Sequence, residues 1–141
     1  MQSGDQFINP QRRFRSDLIN ETLRRLHVSV VGIKASVVVN PDGLLVAAYP
    51  SNDEDTLLGT ASTSQVAAMS ATLLSLAERT LTSLEQGHLR RLLMEGHDGV
   101  MMIYPAGRAT LAVLAGNDVL VSRLLFSVRQ ATKEIRTVLG D

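Results

Sequence analysis

Three histidines, a run of carboxylates and three arginines are the side chains here whose types and spacing could do chemistry. His27, His88 and His97 fall at a helix end, in a loop and in a turn. None has a second ligand at a metal-like spacing such as i, i+4 on a helix, so they read as structural or solvated groups. Asp53, Glu54 and Asp55 could attract a cation, but the run lacks the alternating ligands and the glycine of a calcium loop. Negative charge there better suits the positive end of a helix that follows. Arg12, Arg13 and Arg108 could reach into another molecule and stabilise charge during phosphoryl transfer, although an arginine on a tail or turn is ordinarily solvated. There is no phosphate loop, no Gly-x-Ser-x-Gly, no strand-borne carboxylate pair and no cysteine to serve as nucleophile, zinc ligand or disulfide. The expectation is a protein with no catalytic residue, no metal and no cofactor.

The elements that would hold these residues fit within one domain, since 141 residues are enough to bury a core without staples. Fourteen basic side chains balance fourteen acidic ones, so the chain as a whole lacks the positive surface that nucleic acid requires. The lack of cysteine suits a reducing cytoplasm. Arg12, Arg13 and Arg15 follow Phe7, Ile8 and Pro10, the reverse of a basic segment leading into an apolar one, and no apolar run matches a bilayer. A cytoplasmic protein without membrane insertion is expected, with residues 1–15 as a mobile arm ahead of a domain over 16–141.

Ser16 is a plausible N-cap for a first helix carrying Leu18, Ile19, Leu23 and Leu26 at helical spacing. After Gly32, the β-branched stretch over 33–39 favours a strand. Asn40, Pro41, Asp42 and Gly43 then close a hairpin whose second strand runs to Tyr49. A second helix is predicted over 56–84. Leu58, Val66, Ala67, Met69, Leu73, Leu74, Leu76, Ala77, Leu81 and Leu84 fill about half its circumference, more than the ~100° a surface helix needs. Its other face, with Ala61, Gln65, Ala68, Ala71, Thr72, Ser75 and Thr82, is small and nearly uncharged, Glu78 and Arg79 excepted. Solvated faces normally carry charge, whereas small neutral residues let another backbone approach. This helix should therefore touch both its own sheet and something else. Strands over 89–95, 99–104 and 110–115 follow as an antiparallel meander, and a last helix runs over 118–139 with Asp118 as its cap. The order α-β-β-α-β-β-β-α indicates an α+β fold with a five-stranded antiparallel sheet.

The stretch Val37-Val38-Val39-Asn40-Pro41-Asp42-Gly43-Leu44-Leu45-Val46-Ala47-Ala48 resembles the first hairpin of the roadblock/LC7 family. Leu92-Leu93-Met94-Glu95-Gly96-His97-Asp98-Gly99-Val100 is similar to its third-to-fourth-strand hairpin, and Thr110-Leu111-Ala112-Val113-Leu114-Ala115 to its fifth strand. The resemblance covers nearly the whole chain and implies profilin-like layering. It further implies a dimer in which the third strands pair edge to edge across a two-fold axis and the central helices lie side by side. Leu89, Arg91, Leu93 and Glu95 would then form the interface together with Ala68, Ala71 and Ser75. Arg90 or Arg91 would approach the other copy's Glu95, depending on register. A partner would meet Ala61, Gln65, Thr72 and Arg79. The family's implied partners are small Ras-like GTPases, regulated in bacteria in polarity or motility; in eukaryotes its members are dynein light chains or lysosomal scaffold (LAMTOR-like) subunits. A structural scaffold without GTPase contact and a small-molecule sensor are the alternatives.

Overall fold

The computed structural model describes residues 10–50, 57–59 and 61–141, and the side chains of 10–13 and 57–58 lie outside that description. The elements are α1 (Pro10–Ser29), β1 (Ile33–Val39), β2 (Leu45–Tyr49), β3 (Leu57–Leu58), β4 (Ala61–Ser62), α2 (Thr63–Ser83), β5 (Leu92–Glu95), β6 (Gly99–Ala106), β7 (Ala109–Gly116) and α3 (Val121–Leu139). Five strands form one antiparallel sheet in the order β2-β1-β7-β6-β5. The expected α+β architecture is therefore present, with the short β3–β4 ladder added to it.

Strand alternation sorts the core into two layers. Val38, Met102, Leu111 and Val113 pack under α1 and α3, whereas Val37, Val39, Ile103 and Ala112 pack under α2. With both faces covered, β1 and β7 are apolar on successive residues over 37–39 and 111–115, as central strands are. From α1 come Ile19, Leu23, Leu26 and Val30, and from α3 Leu124, Val128, Ala131 and Ile135. The first turn follows the sequence closely. Asn40 Oδ1 accepts from the backbone N–H of Asp42 (2.9 Å) and of Leu44 (3.0 Å), while Gly43 takes the left-handed φ of +82° that closes the hairpin.

Three helix starts differ from expectation. Helix α1 begins at Pro10, so Ser16 lies inside it; proline is well suited to a first helical turn. Residues 1–9 of the expected arm are outside the description. Helix α2 starts at Thr63 because Ser62 caps it. Ser62 Oγ accepts from Gln65 N–H (3.2 Å) and Gln65 Oε1 accepts from Ser62 N–H (2.8 Å), a reciprocal box. Leu58 consequently belongs to β3 and Ala61 to β4, not to the helix. The capping role expected of Asp53, Glu54 and Asp55 falls on residues outside the description, and the observed cap is Ser62. Helix α3 starts at Val121 behind an extended Leu120, with no side-chain cap; Asp118 does not serve as one.

His27 sits between α1 and the sheet, its Nε2 2.9 Å from Ser36 Oγ and its ring edge-on to Tyr49 at 4.6 Å. Burial lowers its imidazole from 6.5 to about 4, so the folded state holds it neutral at pH 7. The unfolded chain takes up that proton near pH 6.5 and the folded chain only near 4. Stability is accordingly full above 6.5, falls as the pH drops towards 4, and loses nothing more to this group below that. We expect a loss of roughly 2 kcal/mol across this window after allowance for partial exposure. Urea midpoints measured against pH should fall less steeply there for His27→Gln; parallel curves would remove His27 from the acid limb.

Candidate functional site

The strand β5 is one edge of the sheet. Gly96 N–H donates to Gly99 O (2.7 Å), making Gly96 and Gly99 a hydrogen-bonded pair of the β5–β6 hairpin. Alternation back along the register makes Met94↔Met101 and Leu92↔Ile103 hydrogen-bonded pairs, and Glu95↔Val100 and Leu93↔Met102 non-bonded ones. The N–H and C=O groups of Leu93 and Glu95 therefore point away from β6, out of the free edge. Both side chains are exposed, with Leu93 at 37 %.

Leu89 and Arg91, expected in the same strand, precede it. The segment ahead of β5 is tied instead to α2, where Glu78 Oε1 accepts from Leu89 N–H (3.2 Å). That contact explains why Glu78 interrupts an otherwise uncharged surface. Arg91 is exposed beside the edge.

Helix α2 buries Thr63, Val66, Ala67 and Ser70 and half-buries Ala71, Leu73 and Leu74. Its two flanks differ. On one, Ala68, Ala71, Thr72, Ser75 and Arg79 line a groove of about 350 Å³ with Pro41, Asp42 and Gly43 of the β1–β2 turn. The structure thus brings together five of the helix residues singled out from sequence, and places them towards the hairpin at the far end of the strand order from β5. On the other flank lie Met69 and Leu76, exposed at 50 % and 53 % although expected to face the sheet. Sequence reading missed them as surface residues, yet the excessive width of the apolar arc was their signal. Of the other expected partner-binding residues, Ala61 is half-buried against the core under α2, and Gln65 is exposed with its side chain hydrogen-bonded in the cap.

Beyond α2, at the β5–β6 turn, a hollow of about 710 Å³ is lined by Met94, Met101 and Leu114 with the turn residues. An exposed strand edge, an apolar helix flank and a methionine-lined hollow are the features through which such a domain can hold another protein. Among the described residues, no group of three or more His, Asp or Glu side chains is placed to hold a metal ion, and no helix is long and apolar enough to cross a membrane. His88 and His97 are exposed, and Arg108 lies in the β6–β7 turn.

A five-stranded antiparallel sheet with two helices on one face, one on the other and a free edge strand defines the class, a layered α+β domain. The chain belongs to the Roadblock/LC7 domain family, whose profile matches residues 19–115. It is 30 % identical over 107 residues to the uncharacterized protein MJ1340 of Methanocaldococcus jannaschii, an alignment covering 76 % of this chain and 88 % of the relative. Among solved structures it is similar to a Roadblock/LC7 domain from Streptomyces avermitilis, with 23 % identity, a TM-score of 0.75 and coverage of 85 % of this chain and 96 % of that one. Myxococcus xanthus MglB has 15 % identity and a TM-score of 0.74, with 89 % and 93 % of the two chains covered. The gliding protein MglB of Thermus thermophilus has 11 % identity and a TM-score of 0.71, with 93 % and 92 % covered.

Proposed function

We propose that this chain is a non-catalytic, homodimeric platform for a small Ras-like GTPase. The observation that carries the reading is the outward-facing backbone of Leu93 and Glu95 on a free sheet edge, in a domain whose central helix also exposes Met69 and Leu76. Two copies related by a two-fold axis would join their β5 strands into one continuous sheet and set their α2 helices side by side, covering both the edge and the methionine-lined hollow. In this arrangement the interface keeps Leu93 and Glu95, with Arg91 beside them, and takes Met69 and Leu76 from the helix. Ala68, Ala71, Thr72, Ser75 and Arg79 stay accessible in the groove by the β1–β2 turn and form the surface offered to the GTPase. Similarity to the gliding protein MglB, and to MglB in a tetrameric arrangement, supports self-association.

A GTPase that reaches from this groove over the paired α2 helices to the two-fold axis blocks its own symmetric copy, giving two of these chains to one GTPase. One held within a single groove would instead bind one per chain. Affinity should follow nucleotide state because the switch loops change on hydrolysis. Calorimetry with a Ras-like GTPase encoded beside this chain, loaded with GDP and then with a GTP analogue, tests both statements. Heat in neither state would leave the scaffold reading. If hydrolysis is accelerated, Arg12→Ala, Arg13→Ala and Arg108→Ala should each retain most of the acceleration, and a loss near ~10³-fold at any one would make the protein a donor of a catalytic arginine.

A further inference from the structure

On the opposite face of the sheet, between the segment leading into β5 and the outer side of α3, lies a cleft of about 510 Å³. Arg90 and Arg91 border it on one side, and Arg129, Lys133 and Arg136 on the other, with Tyr104 between. Five of the fourteen Lys and Arg side chains of a chain with no net charge converge here. Arg129, Lys133 and Arg136 recur at i, i+4 and i+7 of one helix, a spacing at which like charges repel and weaken the helix. Among the described residues, the compensating carboxylates are few. Glu134 pairs with Arg25 of α1 at 2.8 Å, and Asp141, itself 86 % exposed, stands 3.6 Å from Arg136. The fold does not need this concentration of charge, since all five groups are exposed and none supports the core.

We propose that this cleft binds a compact, multiply charged phosphate group, a chain of linked phosphates such as a triphosphate. Four of the five cations are arginines, whose planar forks fit phosphate oxygens two at a time. The volume is that of a small-ligand site, and three cations along α3 span about 10 Å at 1.5 Å per residue. Linked phosphates place several negative charges within such a span. An extended acidic peptide, at about 3.3 Å per residue with alternate side chains turned away, brings fewer. Electrostatic steering adds to the case: with these five cations gathered in one place, the rest of the surface is net negative, so a small polyanion is repelled elsewhere and drawn here.

This inference does not rest on dimerisation or on a GTPase. Its test is calorimetric titration of the full chain with sodium tripolyphosphate at low salt. Saturable binding of one anion per chain is expected, and Arg129→Glu with Lys133→Glu should weaken it on the order of 100-fold. A control pair of equal charge change, Arg15→Glu with Arg123→Glu, lies outside the cleft and should alter affinity by less than about threefold. Both double variants should retain a cooperative melting transition, which separates lost binding from lost fold. No saturable heat by about 1 mM anion, equal weakening by the control pair, or tighter binding of a penta-glutamate peptide or of phosphoinositide-containing vesicles than of tripolyphosphate would each overturn the proposal.

Discussion

Leu93→Pro is expected to turn the proposed dimer into a monomer while leaving the monomer folded. Leu93 occupies a non-hydrogen-bonded position of the β5–β6 pair, so proline there removes no donor from the sheet's own ladder. It removes one that faces the free edge, and does so twice in a symmetric dimer. Loss of those two bonds, with a ring projecting where the second strand must approach, should weaken association on the order of 100-fold or more. Leu76→Arg should act similarly through the helix flank, by placing a charge where two apolar surfaces meet. Ala68→Arg, in the groove by the β1–β2 turn, should leave the dimer whole and impair partner binding instead. Sedimentation velocity at micromolar concentration distinguishes these outcomes. Dimers of both Leu93→Pro and Leu76→Arg would mean the edge and flank are not the interface, and a monomeric Ala68→Arg would return the contact to the small-residue face.

The second large effect concerns the fold. A Cβ on Gly99 would stand 2.6 Å from the carbonyl oxygen of Ala115, at the first pair of the β6–β7 ladder. Backbone cannot swing aside as a side-chain end can, so Gly99→Val should cost about 3 kcal/mol by forcing the strands apart. In a domain of this size that corresponds to a fall in melting temperature of roughly 10 °C. Gly96→Ala, three residues away, would meet its nearest neighbour, Gly99 O, at an ordinary 3.5 Å and should be nearly neutral. Thermal unfolding of the two variants side by side reads the contrast. A melting point for Gly99→Val within about 2 °C of wild type would show that the strands yield more readily than their packing implies.

Much of this architecture was legible because it is written in local signals. The β-branched run at Val37, Val38 and Val39, the Asn40 to Gly43 turn and the Glu95 to Gly99 hairpin each depend on neighbouring residues, and each appears where periodicity and turn chemistry put it. The start of α2 was misplaced because Leu58 fits a helical arc in phase with Val66 and Leu73. Nothing in that spacing reveals that Gly59, at a φ of +70°, breaks the chain ahead of a Ser62 cap. The candidate surface was legible in part for a related reason. Helix periodicity reports an arc that avoids water but not what covers each portion of it, so Met69 and Leu76 were indistinguishable from Leu73 and Leu74 until the sheet was in place. The basic cleft joins residues some forty positions apart, from Arg90 and Arg91 to Arg129 and Arg136, and no local pattern could announce it.

The pairing of β1 with β7 sets the order in which a ribosome can complete this molecule. Beside the local β2 hairpin, residues Ile33 to Val39 find the partners for their other side at Thr110 to Ala115, so the centre of the sheet is also its last seam to close. While translation proceeds, the Val37-Val38-Val39 segment waits with one side unzipped, uncharged and β-branched, which are the traits of strands that adhere to copies of themselves. Non-local closure of this kind is slow even after release. Crowding among nascent chains therefore threatens this protein most during synthesis, for as long as its C-terminal segment remains to be made.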